Sequence, residues 1–404
     1  MPDLNETPRG NRVRIAFFGL RNAGKSTLVN AFTGQPVAIV SDVPGTTTDP
    51  VSKAMEILPL GPCLITDTAG LDDVGELGEM RVRKTLDVLA TTDVAVWVWG
   101  DGVSPLQEDE RLSGEAQENE RRYSEFQEEC RRRNVTVLEY RRGDSVEELK
   151  RRIAAVKLGE ETPGLLDGLV ERGDRVLCVV PIDESAPKSR LILPQQQVIR
   201  ECLDRHVGCF VCQPEELADF LKVGLTDLTG RLLVVTDSQA FGTVRSTIRR
   251  FDGSTISLVS FSILFARQKG DLDEYVKGLA AIRSLADGDT VLVAEGCTHR
   301  RQCNDIGTVK IPKALEKLSG KKLKFAFASG GDFGLRRVGD VAPCRLVVHC
   351  GACMQTRREM LLRIALAKGA GVPIVNYGMV LAMANGIDVA AVLPTSVPFS
   401  ESSV

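Results

Sequence analysis

The chain has 404 residues, a formal net charge of −3 and no apolar run of the length that spans a membrane. This charge implies no general attraction to nucleic acid or to an anionic membrane, and we expect neither as a partner. The first 14 residues are polar and contain acids, which argues against export and predicts a cytoplasmic protein. Eleven cysteines, an odd number, favour reduced thiols and metal binding over a disulfide framework.

A phosphate-binding loop follows the first predicted strand, residues 13–18. The loop runs Gly19-Leu20-Arg21-Asn22-Ala23-Gly24-Lys25-Ser26-Thr27 and opens a predicted helix. A strand, a loop of this pattern and a helix in that order are typical of a P-loop. Its backbone N–H groups surround phosphates, Lys25 reaches the β- and γ-phosphates, and the Ser26 hydroxyl binds Mg²⁺. The predicted nucleotide-binding residues here are Gly19, Asn22, Ala23, Gly24, Lys25, Ser26 and Thr27.

A second predicted strand, residues 63–66, ends in Asp67-Thr68-Ala69-Gly70. An acid at a strand end holds Mg²⁺ in P-loop hydrolases, and Gly70 can offer its N–H to the γ-phosphate. We therefore predict Lys25, Asp67 and Gly70 as catalytic residues. Between the two motifs lies Pro44-Gly45-Thr46-Thr47-Thr48-Asp49. This order resembles the translation-factor-like small GTPases, in particular the branch that contains TrmE, Era and EngA.

The resemblance to that branch implies three further features. Thr47 corresponds to its Mg²⁺-binding threonine, Asn22 accompanies a bound K⁺, and Leu71 stands where a glutamine would orient water, so hydrolysis is expected to be slow and potassium-stimulated. The guanine-recognition motif, Asn-Lys-x-Asp, is replaced after strand 135–138 by Arg141-Arg142-Gly143-Asp144. Asp144 is either a remaining guanine acceptor or a helix cap. About one strand–helix unit is expected to be missing.

The middle of the chain alternates predicted strands and helices. Residues 160–173, with Pro163 and several glycines, indicate a linker. Strands are predicted at 176–180, 210–211, 231–236 and 256–261, and helices at 195–203, 215–221 and 244–249. Such alternation predicts a parallel sheet with helices on both faces. The acidic loop at 181–188 either docks a second copy of the chain or lends the Asp183 carboxylate to a metal site.

Two cysteine-histidine motifs follow predicted strands in the last part of the chain. They are Glu295-Gly296-Cys297-Thr298-His299, after strand 290–294, and Val348-His349-Cys350-Gly351-Ala352-Cys353, after strand 345–348. Open α/β sheets bind ligands beyond the carboxyl ends of their strands, so we expect both motifs at one edge of one sheet. Three thiolates and two imidazoles there predict a soft-metal site. The candidate ligands are Cys297, Cys350, Cys353, His349 and His299.

Three interpretations of these cysteines are open. They are buried core residues, ligands of a closed zinc site with three cysteines and one histidine, or ligands of an iron–sulfur cluster. Two of the three histidines in the chain flank them, which disfavours the first interpretation. A closed zinc site has no open position to couple to a nucleotide switch. A three-cysteine cluster leaves one position where another complex can attach.

The whole chain resembles the HydF family, the GTPases and scaffolds of [FeFe]-hydrogenase maturation. Beyond the motifs above, the resemblance rests on Val180-Pro181-Ile182-Asp183, Ala186-Pro187-Lys188, residues 190–195, 236–241 and 260–267, Asp305-Ile306-Gly307 and Lys310-Ile311-Pro312. It implies an α/β protein with a P-loop GTPase domain followed by two parallel-sheet α/β domains. The implied limits are 1–160 for the GTPase domain, 172–265 for a dimerisation domain and 268–404 for a cluster domain.

The same resemblance implies cofactors and partners. A [4Fe–4S] cluster is bound by Cys297, Cys350 and Cys353, with His299, His349, Asp183 or an exchangeable group as the fourth ligand. GTP, Mg²⁺ and K⁺ serve the first domain. A homodimer receives a diiron precursor made by two radical-SAM maturases and delivers it to apo-[FeFe]-hydrogenase. The competing hypothesis is a GTP-regulated RNA-modification or ribosome-assembly factor with structural zinc, although no basic patch or aromatic RNA platform favours it.

Overall fold

A computed structural model of the chain describes residues 9–35, 50–72, 76–100, 114–157, 162–182, 191–224, 230–251, 256–296, 305–330, 344–387 and 389. The chain divides into two compact units, Met1–Glu161 and Thr162–Val404. None of the helices in the described ranges has the length and apolar character to cross a membrane. The first unit has one described sheet and the second has two, and each unit has two apolar clusters of its own among the described residues.

The first unit is built on a five-stranded sheet of order β2-β3-β1-β4-β5. Its strands are β1 Val13–Phe18, β2 Val51–Ile57, β3 Gly61–Asp67, β4 Val94–Val98 and β5 Thr136–Tyr140. Its helices are α1 Lys25–Thr33, α2 Glu76–Leu89, α3 Gly114–Arg132 and α4 Val146–Ala154. β2 runs antiparallel to β3, and the other described pairs are parallel. Ile15 and Phe17 of β1 belong to one apolar cluster, and Ala16 and Phe18 to another, so both faces are buried.

The strands predicted at 13–18, 63–66 and 135–138 are confirmed as β1, β3 and β5, and the helix predicted after the P-loop is α1, whereas β2 and α2 were not predicted. β2 is an edge strand whose side chains are mostly exposed or half-buried. A polar edge strand lacks the apolar run by which a buried strand is recognised, which explains why its sequence did not indicate it.

The first sheet of the second unit is parallel throughout its described strands, in the order β7-β6-β8-β9. Its elements are β6 Arg175–Val179, α5 Leu193–Asp204, β7 Gly208–Cys212, α6 Leu217–Gly224, β8 Leu232–Thr236, α7 Phe241–Ile248, β9 Ile256–Ser260 and α8 Phe261–Lys269. Val176 and Cys178 of β6 lie in one core, and Leu177 and Val179 lie in another. The predicted parallel sheet with both faces buried is confirmed.

The second sheet repeats this topology in the order β11-β10-β12-β13, again parallel. Its elements are α9 Leu272–Ala281, β10 Thr290–Glu295, α10 Ile311–Ser319, β11 Lys324–Ser329, β12 Leu346–His349, α11 Arg357–Gly369, β13 Ile374–Asn376 and α12 Tyr377–Ala384. The strand order reverses between β10 and β12. The crevice beyond the carboxyl ends of such a strand pair is where open α/β sheets bind ligands.

Helix α8 joins the two sheets of the second unit. It is buried on nearly every side, through Phe261, Ile263, Leu264, Phe265, Ala266 and Lys269. It packs on α5 of the first sheet and on α11 and α12 of the second. One apolar core therefore runs through both sheets. A helix without a polar face gives no amphipathic signal, so the sequence did not predict it.

The predicted linker at 160–173 is wrong for the residues from 162 onward. Leu165, Leu166 and Val170 are buried in the core of the second unit. The Glu201 carboxylate accepts the N–H groups of Leu165 and Leu166 at 2.7 and 2.9 Å. Proline and glycine mark turns of a packed segment here. The three domain limits given above stay predictions.

Candidate nucleotide and metal sites

The P-loop is shaped by left-handed backbone at two positions. Gly24 has φ 86° and Asn22 has φ 59°, which glycine adopts freely and asparagine tolerates. A Cβ on Gly19 would lie 2.5 Å from the Val98 carbonyl oxygen, so the start of the loop packs on the end of β4. Lys25, the first residue of α1, donates from Nζ to the Leu20 carbonyl at 2.7 Å. The Lys25 side chain therefore folds back over the P-loop and is held against the loop backbone.

Ser26 and Asp67 meet at the position predicted for Mg²⁺. The Ser26 hydroxyl donates to Asp67 Oδ2 at 2.6 Å. Asp67 is fully buried at the end of β3, and its Oδ1 has no hydrogen-bond partner among the described residues. Burial raises the pKa of Asp67, while the Ser26 hydrogen bond and the Lys25 charge lower it. A buried, unpaired carboxylate oxygen beside a hydroxyl fits a hard divalent cation. Thr47, the third predicted oxygen ligand, lies outside the described residues.

Gly70 lies against the P-loop backbone. A Cβ at this position would be 2.8 Å from the Arg21 nitrogen and 2.9 Å from Asp72 Oδ1. The Arg21 N–H donates to that carboxylate oxygen at 2.6 Å. The motif that follows β3 is therefore in contact with the loop predicted to hold phosphates. The sequence analysis did not select Asp72, whose only signal was its place two residues after Gly70.

Asp144 closes a turn with the backbone of Arg141. Its Oδ2 accepts the Arg141 N–H at 2.8 Å, and its N–H donates to the Arg141 carbonyl at 2.9 Å. The residue that caps α4 is Ser145, whose hydroxyl accepts the Glu148 N–H at 3.3 Å. The helix-cap alternative for Asp144 is therefore wrong, and its exposed carboxylate is engaged in the turn.

The two strands that precede the cysteine motifs are neighbours, as predicted. β10 and β12 pair in parallel, with Ala294 opposite His349. The Gly296 N–H donates to Cys350 Sγ at 3.2 Å, and the Cys350 N–H donates to the Ala294 carbonyl at 3.0 Å. The backbone just before Cys297 thus contacts the Cys350 thiol. Cys297, His299 and Asp183 lie outside the described residues.

Cys350 and Cys353 lie in one turn, which Ala352 forms with φ 56°. Burial raises the pKa of Cys350 to about 11, against the opposing effect of the Gly296 N–H. Burial also raises the pKa of Cys353, while the Lys269 charge lowers it. Such thiols release their protons when a metal binds. Within the described ranges, no three Cys, His, Asp or Glu side chains are close enough to hold a metal ion.

His349 is fully buried and uses both ring nitrogens inside the protein. Its Nε2 is 2.9 Å from Arg363 Nη1, and its Nδ1 is 2.9 Å from the Cys350 carbonyl oxygen. Because arginine only donates, Nε2 accepts and Nδ1–H donates. Burial, and then the Arg363 charge, lower the pKa of His349 to about 3. The ring is therefore neutral and holds the Cys350 carbonyl.

Arg363 and Gln355 also contact residues at this edge of the sheet. The sequence analysis predicted neither of them. Arg363 Nη2 donates to the Gly330 carbonyl at 2.6 Å, and with the Gln355 amide oxygen turned toward the guanidinium, Nε donates to it at 3.0 Å. A Cβ on Gly296 would lie 2.7 Å from Gln355 Cδ. The available signal was spacing, since Arg363 falls on the buried stripe of α11 between Met360 and Ala367.

Three family models match the chain. The hydrogen maturase F dimerization domain matches residues 165–270, and the hydrogen maturase F tetramerization domain matches residues 273–393. The chain belongs to the HydF family. A 50S ribosome-binding GTPase model matches residues 14–139. The predicted fold class is confirmed, and the chain combines the two HydF domains with a P-loop GTPase domain.

Curated relatives match the GTPase domain of this HydF-family chain. The tRNA modification GTPase MnmE of Endomicrobium trichonymphae is 34% identical over 103 residues, 25% of this chain and 22% of that protein. MnmE of Azorhizobium caulinodans is 40% identical over 107 residues, 25% of this chain and 24% of that protein. GTPase Der of Desulfitobacterium hafniense is 33% identical over 118 residues, 28% of this chain and 26% of that protein. The chain spans about a quarter of the length of these relatives.

Among solved structures, an Aquifex aeolicus Era variant bound to GDP and AlF₄⁻ matches with a TM-score of 0.25 and 16% identity, covering 81% of this HydF-family chain and 96% of that chain. Toc33 of Arabidopsis thaliana with Mg²⁺ and GMPPNP matches with a TM-score of 0.24 and 17% identity, over 36% of this chain and 83% of that chain. At these scores the fold rests on the sheets described above.

Proposed function

We propose that the chain is a GTP-binding scaffold that holds a [4Fe–4S] cluster and a diiron precursor and delivers the precursor to apo-[FeFe]-hydrogenase. The observation that carries this proposal is the Gly296 N–H that donates to Cys350 Sγ at 3.2 Å. It brings the start of one cysteine motif against the loop of the other at the crevice of a parallel sheet, where ligands bind. The two hydrogen maturase F matches support the same function.

Cys297, Cys350 and Cys353 are the proposed cluster ligands. Thiolates are the protein ligands of iron–sulfur clusters, and hydrogen bonds to their sulfurs tune the potential, so Cys350 with its N–H donor fits this group. A cluster held by three cysteines supplies an iron to which a second complex can attach. His299, Asp183 or an exchangeable group is the fourth ligand in this proposal. His349, whose ring nitrogens are both hydrogen-bonded within the protein, positions Cys350 instead.

The nucleotide half of the proposal is slow, potassium-stimulated hydrolysis of GTP with Mg²⁺. Ser26, Thr47 and Asp67 hold the cation, and the unpaired Asp67 Oδ1 beside the Ser26 hydroxyl supports this assignment. Lys25 and the loop N–H groups bind phosphates, and Gly70 meets the γ-phosphate. Asn22 accompanies K⁺, which supplies positive charge at the transition state. Guanine contacts from Asp144 are weak because its carboxylate already closes a turn.

We propose that the chain acts as a homodimer in the cytoplasm. β7 is the edge strand of its sheet, and Phe210 and Val211 on it are 44% and 49% exposed. Exposed apolar residues on an edge strand favour pairing with another chain. The dimerization-domain match supports a second copy as that partner. The other proposed partners are apo-[FeFe]-hydrogenase and the two radical-SAM maturases. The proposed domains are 1–160, 172–265 and 268–404.

A GTP-regulated RNA-modification or ribosome-assembly factor with structural zinc is the second candidate. The description of the GTPase model that matches residues 14–139 and the names of the MnmE relatives favour it. These likenesses cover the first domain alone. The hydrogen maturase F matches at 165–270 and 273–393 favour the first candidate, because they include the proposed metal edge.

Metal analysis after purification without oxygen decides between the two candidates. We expect about four iron atoms per chain, and loss of iron in Cys297→Ser, Cys350→Ser and Cys353→Ser, because serine is a hard, weakly acidic ligand. Cys344→Ser, at a buried cysteine outside both motifs, is the matched control. Thermal melting of the full chain, followed by circular dichroism, reports whether each variant is folded. One zinc and no iron would select the second candidate, and full iron in Cys350→Ser would place the cluster elsewhere.

A further inference from the structure

The loop that carries Cys350 and Cys353 lies along helix α8. Near the start of the helix, a Cβ on Gly351 would lie 3.2 Å from Ser262 Oγ. At its end, the Lys269 ammonium contacts the carbonyls of the same loop. The helix rises about 10 Å between Ser262 and Lys269. The loop is therefore supported over most of the length of α8.

Lys269 uses its whole donor capacity on this loop. Its Nζ donates to the carbonyl oxygens of Ala352 at 3.2 Å, Cys353 at 3.2 Å and Gln355 at 2.7 Å. An ammonium has three N–H donors, so all three are satisfied. The side chain is only 2% exposed, and its Nζ lies 5.2 Å from the centre of the Phe265 ring.

Burying a lysine carries a desolvation penalty, which an apolar side chain of similar volume would not incur. What Lys269 adds over an apolar residue is its hold on three carbonyls of one loop. A second cation makes the reciprocal contact, from the α11 side to the end of α8. Arg357, the first residue of α11, donates from Nη1 to the Gln268 carbonyl at 2.6 Å. The end of α8 and the loop are thus joined from both sides.

We propose that Lys269 is a positioning residue that fixes the Cys350–Gln355 loop on α8 and so holds the Cys353 thiol in place for the cluster. The role of Lys269 toward the cluster rests on the proposed function. Its hydrogen bonds to the loop are present without a cluster. Lys269 lies in the region matched by the dimerization domain, and the loop lies in the region matched by the tetramerization domain. The residue therefore ties the ligand loop to the neighbouring sheet. Its charge also favours the reduced, more negative state of a nearby cluster.

The test compares Lys269→Met with Lys277→Met, which removes an exposed lysine paired with Glu274. The iron-free full chain is treated with iodoacetamide, and alkylation is followed at each cysteine by mass spectrometry. Three carbonyls left without a donor loosen the loop, so we expect about tenfold faster alkylation of Cys353. Cys178 and Cys202, buried in the core around β6 and α5, should react at wild-type rates. Lys269→Gln, which keeps an amide donor, should fall between.

A second measurement uses the chain reconstituted with iron and sulfide. Lys269→Met should release iron to a chelator faster than Lys277→Met and have a lower cluster reduction potential. An unchanged rate at Cys353 would overturn the proposal. Alkylation of Cys178 that becomes faster to the same extent as that of Cys353, in both Lys269→Met and Lys269→Gln, would also overturn the proposal. Such a result would indicate general loosening of the core. If the wild type binds no iron, the proposed cluster is refuted. If Lys269→Met still exposes Cys353 selectively in that case, the role of Lys269 in fixing the loop stands.

Discussion

The Gly296 N–H donates to the Cys350 thiol at 3.2 Å, although the two residues are 54 positions apart in the chain. Strand pairing makes this contact, because β10 and β12 run in parallel and end side by side. Hydrogen bonds to ligand sulfurs orient the ligands and tune the potential of a metal cluster. Gly296 therefore belongs to the proposed site, although it supplies no ligand.

Gly296→Ala should weaken iron binding without unfolding the chain. The new methyl group would lie 2.7 Å from Gln355 Cδ, and Gln355 is buried and held by Arg363. Either Gln355 or the Gly296 N–H must move. We expect iron affinity, measured by competition with a chelator, to fall about tenfold. Gly369→Ala is the control, because its Cβ meets nothing within 4 Å. Equal affinities in the two variants would show that Gly296 has no part in the site.

Lys25→Ala should abolish nucleotide hydrolysis and leave the iron content unchanged. In the proposed mechanism Lys25 supplies the positive charge for the β- and γ-phosphates, and loss of such a group costs about 100-fold or more in rate. The proposed cluster lies in the other unit. Lys157→Ala, an exposed lysine of the first unit, is the control. Phosphate release and iron are measured on the same preparation. Loss of iron in Lys25→Ala would contradict the independence of the two sites.

Hydrolysis should be faster in K⁺ than in Na⁺ at equal ionic strength. The expectation comes from Asn22, which the TrmE branch associates with bound K⁺ and which here has a left-handed backbone within the P-loop. Asn22→Ala should remove the difference between the two salts. Equal rates for the wild type in both salts would remove potassium from the mechanism.

GTP should be poorly distinguished from ATP. The Asp144 carboxylate accepts the Arg141 N–H at 2.8 Å, so base binding would have to compete with an existing turn. We expect Asp144→Asn, which keeps an acceptor for that N–H, to change the GTP:ATP ratio of affinities by less than about threefold, under 1 kcal/mol. Competition between labelled GTP and ATP measures the ratio. A strong guanine preference that disappears in Asp144→Asn would assign base recognition to this residue.

The sequence predicted the buried strands that precede the motifs, and the edge where the motifs meet, because those features are local. A buried strand is an apolar run, and its carboxyl end marks the ligand side of a parallel sheet. Lys269 and Arg363 could not be predicted in the same way. Each is a charge on an otherwise buried helical surface, and its partners are carbonyl and ring nitrogen atoms that belong to other elements of the fold. The residues next to Lys269 or Arg363 in the sequence do not reveal these partners. The one local signal is a cation at a position where the helix pattern predicts an apolar residue.

The last prediction concerns acid stability and depends on Asp174, in the turn before β6. Its carboxylate accepts the Arg231 N–H at 2.9 Å, Arg231 Nη2 at 3.0 Å and the Glu171 N–H at 2.9 Å. Burial alone would raise the pKa of Asp174, but these hydrogen bonds and the Arg231 charge together lower it below the ordinary value of 3.8. The unfolded chain therefore binds this proton more readily than the folded chain does. The stabilisation is present above about pH 4 and is lost as the pH falls through the folded pKa.

Asp174→Asn should lower the free energy of unfolding at neutral pH by about 1–3 kcal/mol, because the charged carboxylate that accepts three hydrogen bonds is replaced by a neutral amide whose nitrogen cannot accept. Thermal melting of the full chain, followed by circular dichroism, should show a lower midpoint for the variant at pH 5. The gap to the wild type should narrow below pH 4, since protonation removes the same charge from the wild type. Asp219→Asn, an exposed carboxylate paired with Lys222, should follow the wild type throughout. A gap that stays constant down to pH 2.5 would mean that the Asp174 charge does not contribute to folding, and that the variant is destabilised through its amide geometry alone.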